Sequence, residues 1–241
     1  MSYDTFDFRS HTLPVVIALA PVYLCAVLLV PAIFSEKSWW TLLPVPLVLA
    51  LSVIAKHLGR DAGKQAESAL WEKWGGPPTT QQLRWATADN LIIHRHLHQS
   101  LQAIVGPDIA LPTLEQESTD PDQADQIYEA AVRVLIARTQ DKDTYAKLKN
   151  DLIGYCFRRN VYGLRKLAYT VASIIFLGSI VAIALILHGA IDFGLATPIG
   201  TLLGSLAYIL FFAFVFTPAW VRRGADSYAD ELLKHAHIVS P

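Results

Sequence analysis

The sequence has few charged residues, and those it has leave four long segments empty. Only 17% of the 241 residues are Asp, Glu, Lys or Arg, against roughly 25% in an ordinary soluble domain. No such residue occurs in residues 13–34, 39–55, 167–187 and 199–219. Because a helix needs about 20 apolar residues to cross a bilayer, the sequence predicts an integral membrane protein with four transmembrane helices.

An excess of either charge is also missing. Lys plus Arg number 20 and Asp plus Glu number 21, which gives a net charge of −1. This balance excludes a generic basic nucleic-acid binder and an acidic disordered chain. The two cysteines, Cys25 and Cys156, are too few for a disulfide framework, and no C-x-x-C motif is present. We expect both thiols to be buried as small apolar side chains.

The basic residues predict the orientation in the membrane. Of the 20 Lys and Arg residues, 19 lie outside the two short loops at 35–38 and 188–198. Cytoplasmic flanks hold the Lys and Arg excess, so both termini are predicted to be cytoplasmic. The predicted domains are a cytoplasmic N-terminus at 1–12, a transmembrane hairpin at 13–58, a helical cytoplasmic domain at 59–166, a second transmembrane hairpin at 167–219 and an amphipathic helix beneath the membrane at 220–241.

The segment between the hairpins has the apolar spacing of helices, so the predicted fold class is all-α. The run Gly75-Gly76-Pro77-Pro78 is expected to end one helix. The next is predicted to start with Thr79 or Thr80 as N-cap and to run to about Val105, and a later one to begin with Asp120 as N-cap and Pro121 in its first turn.

Within the predicted helix from Thr79, His94 and His98 share a face, as a two-ligand metal site would require. No third ligand is suggested nearby, so we expect polar tips on a surface helix or an oligomer contact rather than a metal site. No nucleophile elbow, P-loop or dinucleotide fingerprint is present, so neither an enzyme nor a cofactor is predicted.

The candidate ligand-binding residues precede the third charge-free segment. They are Arg158, Arg159, Asn160 and Arg165. Arginine suits phosphate because its planar fork donates two parallel hydrogen bonds, so these residues could bind an anionic ligand such as a nucleotide. The alternative is that they fix the topology and contact anionic lipid headgroups.

The candidate pore or packing residues are small residues and prolines in the spans. Gly200 and Gly204 form a G-x-x-x-G pattern, which lets helices approach closely within one protomer or between protomers. Pro44 and Pro46 could kink the second span. Such kinks can act as hinges of a gate, although proline is also simply commoner in membrane helices than in soluble ones.

Several runs in the chain carry a resemblance. They are Leu70-Trp71-Glu72-Lys73-Trp74-Gly75-Gly76-Pro77-Pro78-Thr79-Thr80, Leu111-Pro112-Thr113 and Tyr155-Cys156-Phe157-Arg158-Arg159-Asn160. The chain thereby resembles a family of bacterial four-transmembrane proteins, which implies the bacterial inner membrane but no activity. Its architecture is similar to membrane-channel effectors of anti-phage defence systems of the Hailong type. That similarity implies a homo-oligomeric channel gated by a nucleotide or oligonucleotide, with a partner protein encoded nearby.

The spans themselves agree with an assembly of several copies. They contain almost no polar side chains, so one protomer cannot enclose a wet path, and a pore would have to form on a symmetry axis. The alternative is a membrane-anchored sensor or scaffold that does not conduct. Its partner protein would bind the acidic surface at 115–129, because no basic residue occurs between Arg95 and Arg133.

Overall fold

The computed structural model describes residues 6–33, 44–141 and 143–237, with the backbone alone for 30–33 and 44–58. Its regular structure is helical, and these ranges contain no strand. The all-α prediction is therefore confirmed. The apolar residues recur at helical spacing in both the charge-free and the charged parts of the chain, and both parts therefore form α-helices.

Eleven α-helices follow one another along the described ranges. They are α1 (Leu13–Ala18), α2 (Ala20–Ile33), α3 (Pro44–Trp74), α4 (Pro78–Leu83), α5 (Leu91–Val105), α6 (Leu114–Thr119), α7 (Pro121–Arg138), α8 (Ala146–Gly163), α9 (Arg165–Leu187), α10 (Ala196–Val215) and α11 (Pro218–Lys234). A π-helical turn, Phe8–Thr12, precedes α1, and the 3-10 turns Trp85–Thr87 and His235–His237 follow α4 and α11.

The chain divides into two compact units. One, which we call the apolar unit, comprises Ser2–Glu67 and Cys156–Val221, and the other, the polar unit, comprises Ser68–Tyr155 and Arg222–Pro241. The divisions fall inside α3, α8 and α11, each of which is an uninterrupted helix. The boundaries at 59, 166 and 220 predicted from the charge-free segments therefore differ by up to about ten residues from these divisions.

Two helices of the apolar unit are long and apolar enough to cross a membrane. They are α9, with 23 residues and a mean hydropathy of 2.7, and α10, with 20 residues and a mean hydropathy of 2.0. A third crossing is provided if Phe8–Ala18 and Ala20–Leu29 count as one span, although they meet at a bend of 52°. Four spans remain a prediction, because residues 34–43 of the first hairpin lie outside the described ranges.

The outward faces of α9 and α10 suit hydrocarbon. Large apolar side chains there are mostly exposed, among them Ile174 at 65%, Leu203 at 59% and Phe214 at 79%. Towards each other the two helices present small and hydroxyl side chains, and the hydroxyls of Ser179 and Thr201 are hydrogen-bonded at 2.8 Å. This arrangement satisfies the polar groups inside the protein and leaves apolar surface for lipid.

Glycines bring α3 and α8 into backbone contact in the apolar unit. A Cβ on Gly163 would lie 2.5 Å from the carbonyl oxygen of Ala62. A Cβ on Gly63 would overlap the side-chain oxygen of Asn160. Since real Cβ atoms do not approach so closely, this crossing requires a residue without a side chain at both positions.

The polar unit has its own core around α7. Tyr128, Ala131 and Leu135 on α7 are fully buried and pack with Leu101 on α5 and Leu232 on α11. The apolar face of α11 thus lies in this core, whereas the sequence analysis expected it to lie beneath the membrane. The same three- and four-residue spacing serves either environment, so spacing alone could not distinguish them.

Two of the predicted helix boundaries are confirmed and one is wrong. Helix α3 ends before Gly75 and Gly76, whose φ angles of 80° and 119° exclude most side chains, and Asp120 caps α7 through the N–H of Gln123. The helix predicted from Thr79 to Val105 is broken into α4, a 3-10 turn and α5. Asn90 caps α5 by accepting the N–H groups of Ile92 and Ile93.

Candidate functional site

The two central residues of the predicted ligand site are buried in the apolar unit. Arg159 on α8 is 8% exposed and donates from Nη1 to Oε1 of Glu67 on α3 at 2.9 Å. Its neighbour Asn160 is 0% exposed and donates from Nδ2 to the carbonyl oxygen of Ser10 at 2.6 Å. These contacts join α3, α8 and the N-terminal turn, so a phosphate could reach Arg159 only by displacing Glu67.

The other two predicted ligand residues contact different neighbours. Arg158 donates from Nη1 to the carbonyl oxygen of Trp220 at 3.1 Å, and its guanidinium lies 5.3 Å from the centre of the Trp220 ring. Arg165 donates to the carbonyl oxygen of Tyr162 at 3.0 Å and lies 4.1 Å from the centre of that ring. Both are cation–π contacts, and the four predicted residues do not converge on one point.

The bend in the first apolar segment has a cause in the sequence. In an α-helix the carbonyls of Ser10 and Ile17 would accept from residues 14 and 21, but both are proline and have no N–H. A side chain from another helix donates to each carbonyl instead. Asn160 reaches Ser10 as described above, and the Tyr208 hydroxyl of α10 donates to the carbonyl oxygen of Ile17 at 2.9 Å.

The predicted pore or packing residues fall in two places. Gly200 and Gly204 on α10 face α2, where a Cβ on Gly200 would contact Leu28 and one on Gly204 would clash with Leu24. The seam that they form therefore lies within the protomer. Pro44 and Pro46 are the first and third residues of α3, and their side chains lie outside the described part of the chain.

The histidine pair of the sequence analysis belongs to a buried network in the polar unit. His94 and His98 are 7% and 6% exposed, and their Nε2 atoms lie 3.1 and 2.8 Å from the carbonyl oxygen of Leu83. Since a carbonyl only accepts, each Nε2 carries the hydrogen and donates. The expectation of polar tips on a surface is therefore wrong, because the broken helix folds α4 back over these rings.

The centre of this network is Glu117 on α6, which is 6% exposed. Its carboxylate accepts the backbone N–H groups of Trp85 at 3.0 Å and Ala86 at 3.1 Å, and the hydroxyl of Tyr128 at 2.7 Å. Burial lowers the pKa of His98 from 6.5 to about 4, and it also lowers the pKa of His94. Both rings are consequently neutral near pH 7, and no group of three or more metal-ligating side chains occurs within the described residues.

An apolar groove lies on the surface of the polar unit beside this network. It has a volume of about 560 Å³, and Trp85, Leu91, Pro112 and Leu114 contribute to its walls. Leu91 begins a run of three exposed aliphatic side chains, with Ile92 and Ile93 at 80% and 64% exposure. Adjacent exposed aliphatic side chains of this kind mark interaction surfaces in folded proteins.

Comparisons of the chain with protein families, with curated proteins and with solved structures found no match. The function of this protein must therefore be inferred from the geometry described above. Sequence reasoning missed the roles of Tyr208, Glu117 and Ser10. A proline four residues after a carbonyl signals that the carbonyl needs another donor, but only the tertiary structure identifies the donor.

Proposed function

We propose that this protein is a homo-oligomeric membrane channel that is gated through its polar unit. The proposed signal is a nucleotide or oligonucleotide, the proposed setting is anti-phage defence in the bacterial inner membrane, and the polar unit is taken to be cytoplasmic. A partner protein encoded nearby would produce the signal. The observation that carries the proposal is the 52° bend in the first apolar segment, because broken helices at membrane depth occur where they line a cavity or move.

The chemistry of the apolar unit supports the proposed assembly. Residues 167–187 and 199–219 contain no charged side chain, and the Ser179 and Thr201 hydroxyls are hydrogen-bonded to each other. Within α9 and α10, the described side chains offer no string of polar groups on which water or an ion could cross one copy. Several copies around an axis would enclose the path between them, as closed cyclic assemblies do.

The proposed gate is the bend at Leu19. The Tyr208 hydroxyl supplies a hydrogen bond that Pro21 cannot make, so it stabilises the bent form of this segment relative to a straighter one. A change in the polar unit would reach the apolar unit along α3, α8 and α11, because the divisions between the units fall inside these helices. The bent and straighter forms would then be the two states of the channel.

Planar-bilayer recording of purified protein, with native mass measurement, tests this proposal. Tyr208→Phe removes only the hydroxyl, and we expect it to change the open probability several-fold. Tyr169→Phe is the matched control, since Tyr169 packs on the ring of Phe212 in the same unit, and it should record like the wild type. A monomer without conductance in the presence of nucleotides and oligonucleotides would refute the channel.

A second candidate, a membrane-anchored sensor or scaffold, is favoured by the exposed run Leu91-Ile92-Ile93. In this alternative a partner protein covers the run and contacts the acidic surface at 115–129. Asp125 is a poor probe of that surface, because it forms an ion pair with Arg84, whereas Glu115 and Asp122 are exposed. Pull-down with Ile92→Ser and with Asp122→Lys should lose the partner, and retention by both variants would exclude this surface.

A further inference from the structure

A second cavity of the polar unit is lined by rings. It has a volume of about 250 Å³, and its walls include Trp71, Pro77, Pro78, Tyr155 and Tyr228. The two tyrosine rings are nearly parallel, at 8°, with their centres 6.4 Å apart. Since an apolar cavity of about 150 Å³ accommodates benzene, this one has room for a planar molecule of two fused rings.

Two residues that line this cavity each carry a polar atom without a partner. The indole Nε1 of Trp71 and the hydroxyl of Thr80 are both closed to solvent and make no hydrogen bond. Thr80 is 1% exposed. Buried polar groups are almost always hydrogen-bonded, so two orphans beside one cavity need an explanation. A small rotation of each side chain would turn these two groups towards the cavity, where a polar ligand seated against the wall would satisfy them.

The charges at the cavity favour a neutral ligand over an ion. Glu129 and Arg133 are its two charged lining residues, and their side chains lie 3.9 Å apart on α7. They cancel each other, so the cavity offers no net charge to a phosphate or an ammonium group. Apolar walls contributed by Val132 and Ile136 favour a ring system that is flat and uncharged.

We propose that this cavity binds a neutral planar heterocycle of two fused rings, of which a purine base is the closest common example. Its faces pack against the tyrosine and tryptophan rings, as bases stack on aromatic side chains. Its ring nitrogens or carbonyl oxygens accept from Trp71 Nε1 and from the Thr80 hydroxyl. None of the arginines of the sequence analysis lines this cavity, and binding here does not depend on whether the protein conducts.

Equilibrium dialysis of the full-length protein in detergent, with labelled adenosine and guanosine, tests this site. We expect saturable binding of one nucleoside per chain and weaker binding of the single-ring nucleoside uridine. Thr80→Val removes one orphan donor while keeping the shape, and Trp71→Phe removes the other donor together with part of the aromatic wall, so each should weaken binding about tenfold or more. Since the Thr80 hydroxyl has no partner without ligand, Thr80→Val should melt at or above the wild-type temperature, whereas Trp71→Phe also loses the packing of the indole ring.

A blocking variant separates this cavity from nonspecific uptake. Ile136, at the cavity, and Leu114, in the other groove, are both partly exposed aliphatic residues, at 39% and 55%. Ile136→Trp should abolish nucleoside binding, and Leu114→Trp should leave it unchanged. The proposal fails if neither purine nucleoside binds saturably, or if binding survives Ile136→Trp. A bilayer without conductance would refute only the channel, since dialysis detects the ligand directly.

Discussion

Glu117 shows how one buried carboxylate decides the path of the chain around it. It accepts the N–H groups of Trp85 and Ala86, which follow the last turn of α4 and would otherwise continue that helix. The Tyr128 hydroxyl from α7 completes the set. At this point of the chain, the hydrogen bonds of a carboxylate replace those of a helix, which is why helical spacing alone mispredicts the segment.

Glu117→Gln should destabilise the polar unit. An amide keeps the shape but turns an N–H₂ group towards donors, so at least one buried donor loses its partner. We expect a loss of about 2 to 4 kcal/mol in the free energy of unfolding, measured by denaturant titration in detergent. Glu115→Gln on the same helix is exposed and should lie within about 0.5 kcal/mol of the wild type. Equal effects of the two variants would contradict the network.

The burial of His98 predicts that the polar unit becomes less stable in acid. The unfolded chain takes up a proton on this residue near pH 6.5, whereas the folded chain does so only near the pKa of about 4. Protonation therefore favours unfolding, and stability is lost as the pH falls from 6.5 towards 4, by up to about 1.4 kcal/mol per pH unit. The neutral His94 beside it adds to this loss, and the nearby carboxylate of Glu117 opposes it.

A non-titrating variant isolates this contribution. His98→Gln keeps a donor for the Leu83 carbonyl, so melting temperatures measured between pH 7 and 5 should fall less steeply than those of the wild type. His96→Gln, at an exposed position of the same helix, should keep the wild-type slope. If His98→Gln also kept that slope, the ring would not be buried in its neutral form.

At the scale of elements, the crossing of α3 and α8 is set by glycine and completed by polar side chains. Gly63 and Gly163 allow the two backbones to touch. The same approach brings Arg159 within reach of Glu67. Long charged side chains preceding a membrane span usually meet headgroups, but here the close approach of the helices encloses one of them. Arg159 is consequently a structural residue of this crossing.

Gly163→Ala should disrupt this crossing. The added methyl group would meet the backbone of Ala62, which cannot move independently of its helix, so we expect a loss of roughly 3 kcal/mol or more. Gly154→Ala in the same helix is the matched control, because its Cβ would meet nothing within 4 Å. It should be neutral or stabilising by up to about 1 kcal/mol. Thermal unfolding of both variants in detergent measures the difference, and identical melting points would argue against the crossing.

At the scale of the whole molecule, the two units differ in where their large apolar side chains lie. The apolar unit leaves large aliphatic and aromatic side chains on its surface, and the polar unit collects its own into a core around α7. Among the described residues, the polar unit exposes large aliphatic side chains in the run Leu91-Ile92-Ile93, at Leu114 in the neighbouring groove and at Ile136 beside the ring-lined cavity. These are therefore the places where the polar unit has surface available for a partner or a ligand.

Cysteine labelling tests the predicted topology of the whole chain. With Cys25 and Cys156 replaced by alanine, Asp192→Cys, between α9 and α10, should react with an impermeant maleimide added to intact cells. Gln99→Cys, exposed on α5, should react only after the cells are opened, because the excess of Lys and Arg in the flanks predicts that the polar unit is cytoplasmic. Labelling of Gln99→Cys in intact cells would show that the polar unit lies outside the cell, which is the opposite of the predicted orientation.

The sequence by itself determined the composition of each part, the helical class, the ends of α3 and the start of α7, because these depend on local charge, spacing and capping groups. Only the tertiary structure decided the burial of Arg159, His94 and His98. A side chain's partner in another helix leaves no local signal, and the same arginine serves equally well as a phosphate ligand, a lipid contact or half of a buried ion pair. Which of these it becomes depends on how closely Gly63 and Gly163 let their helices approach.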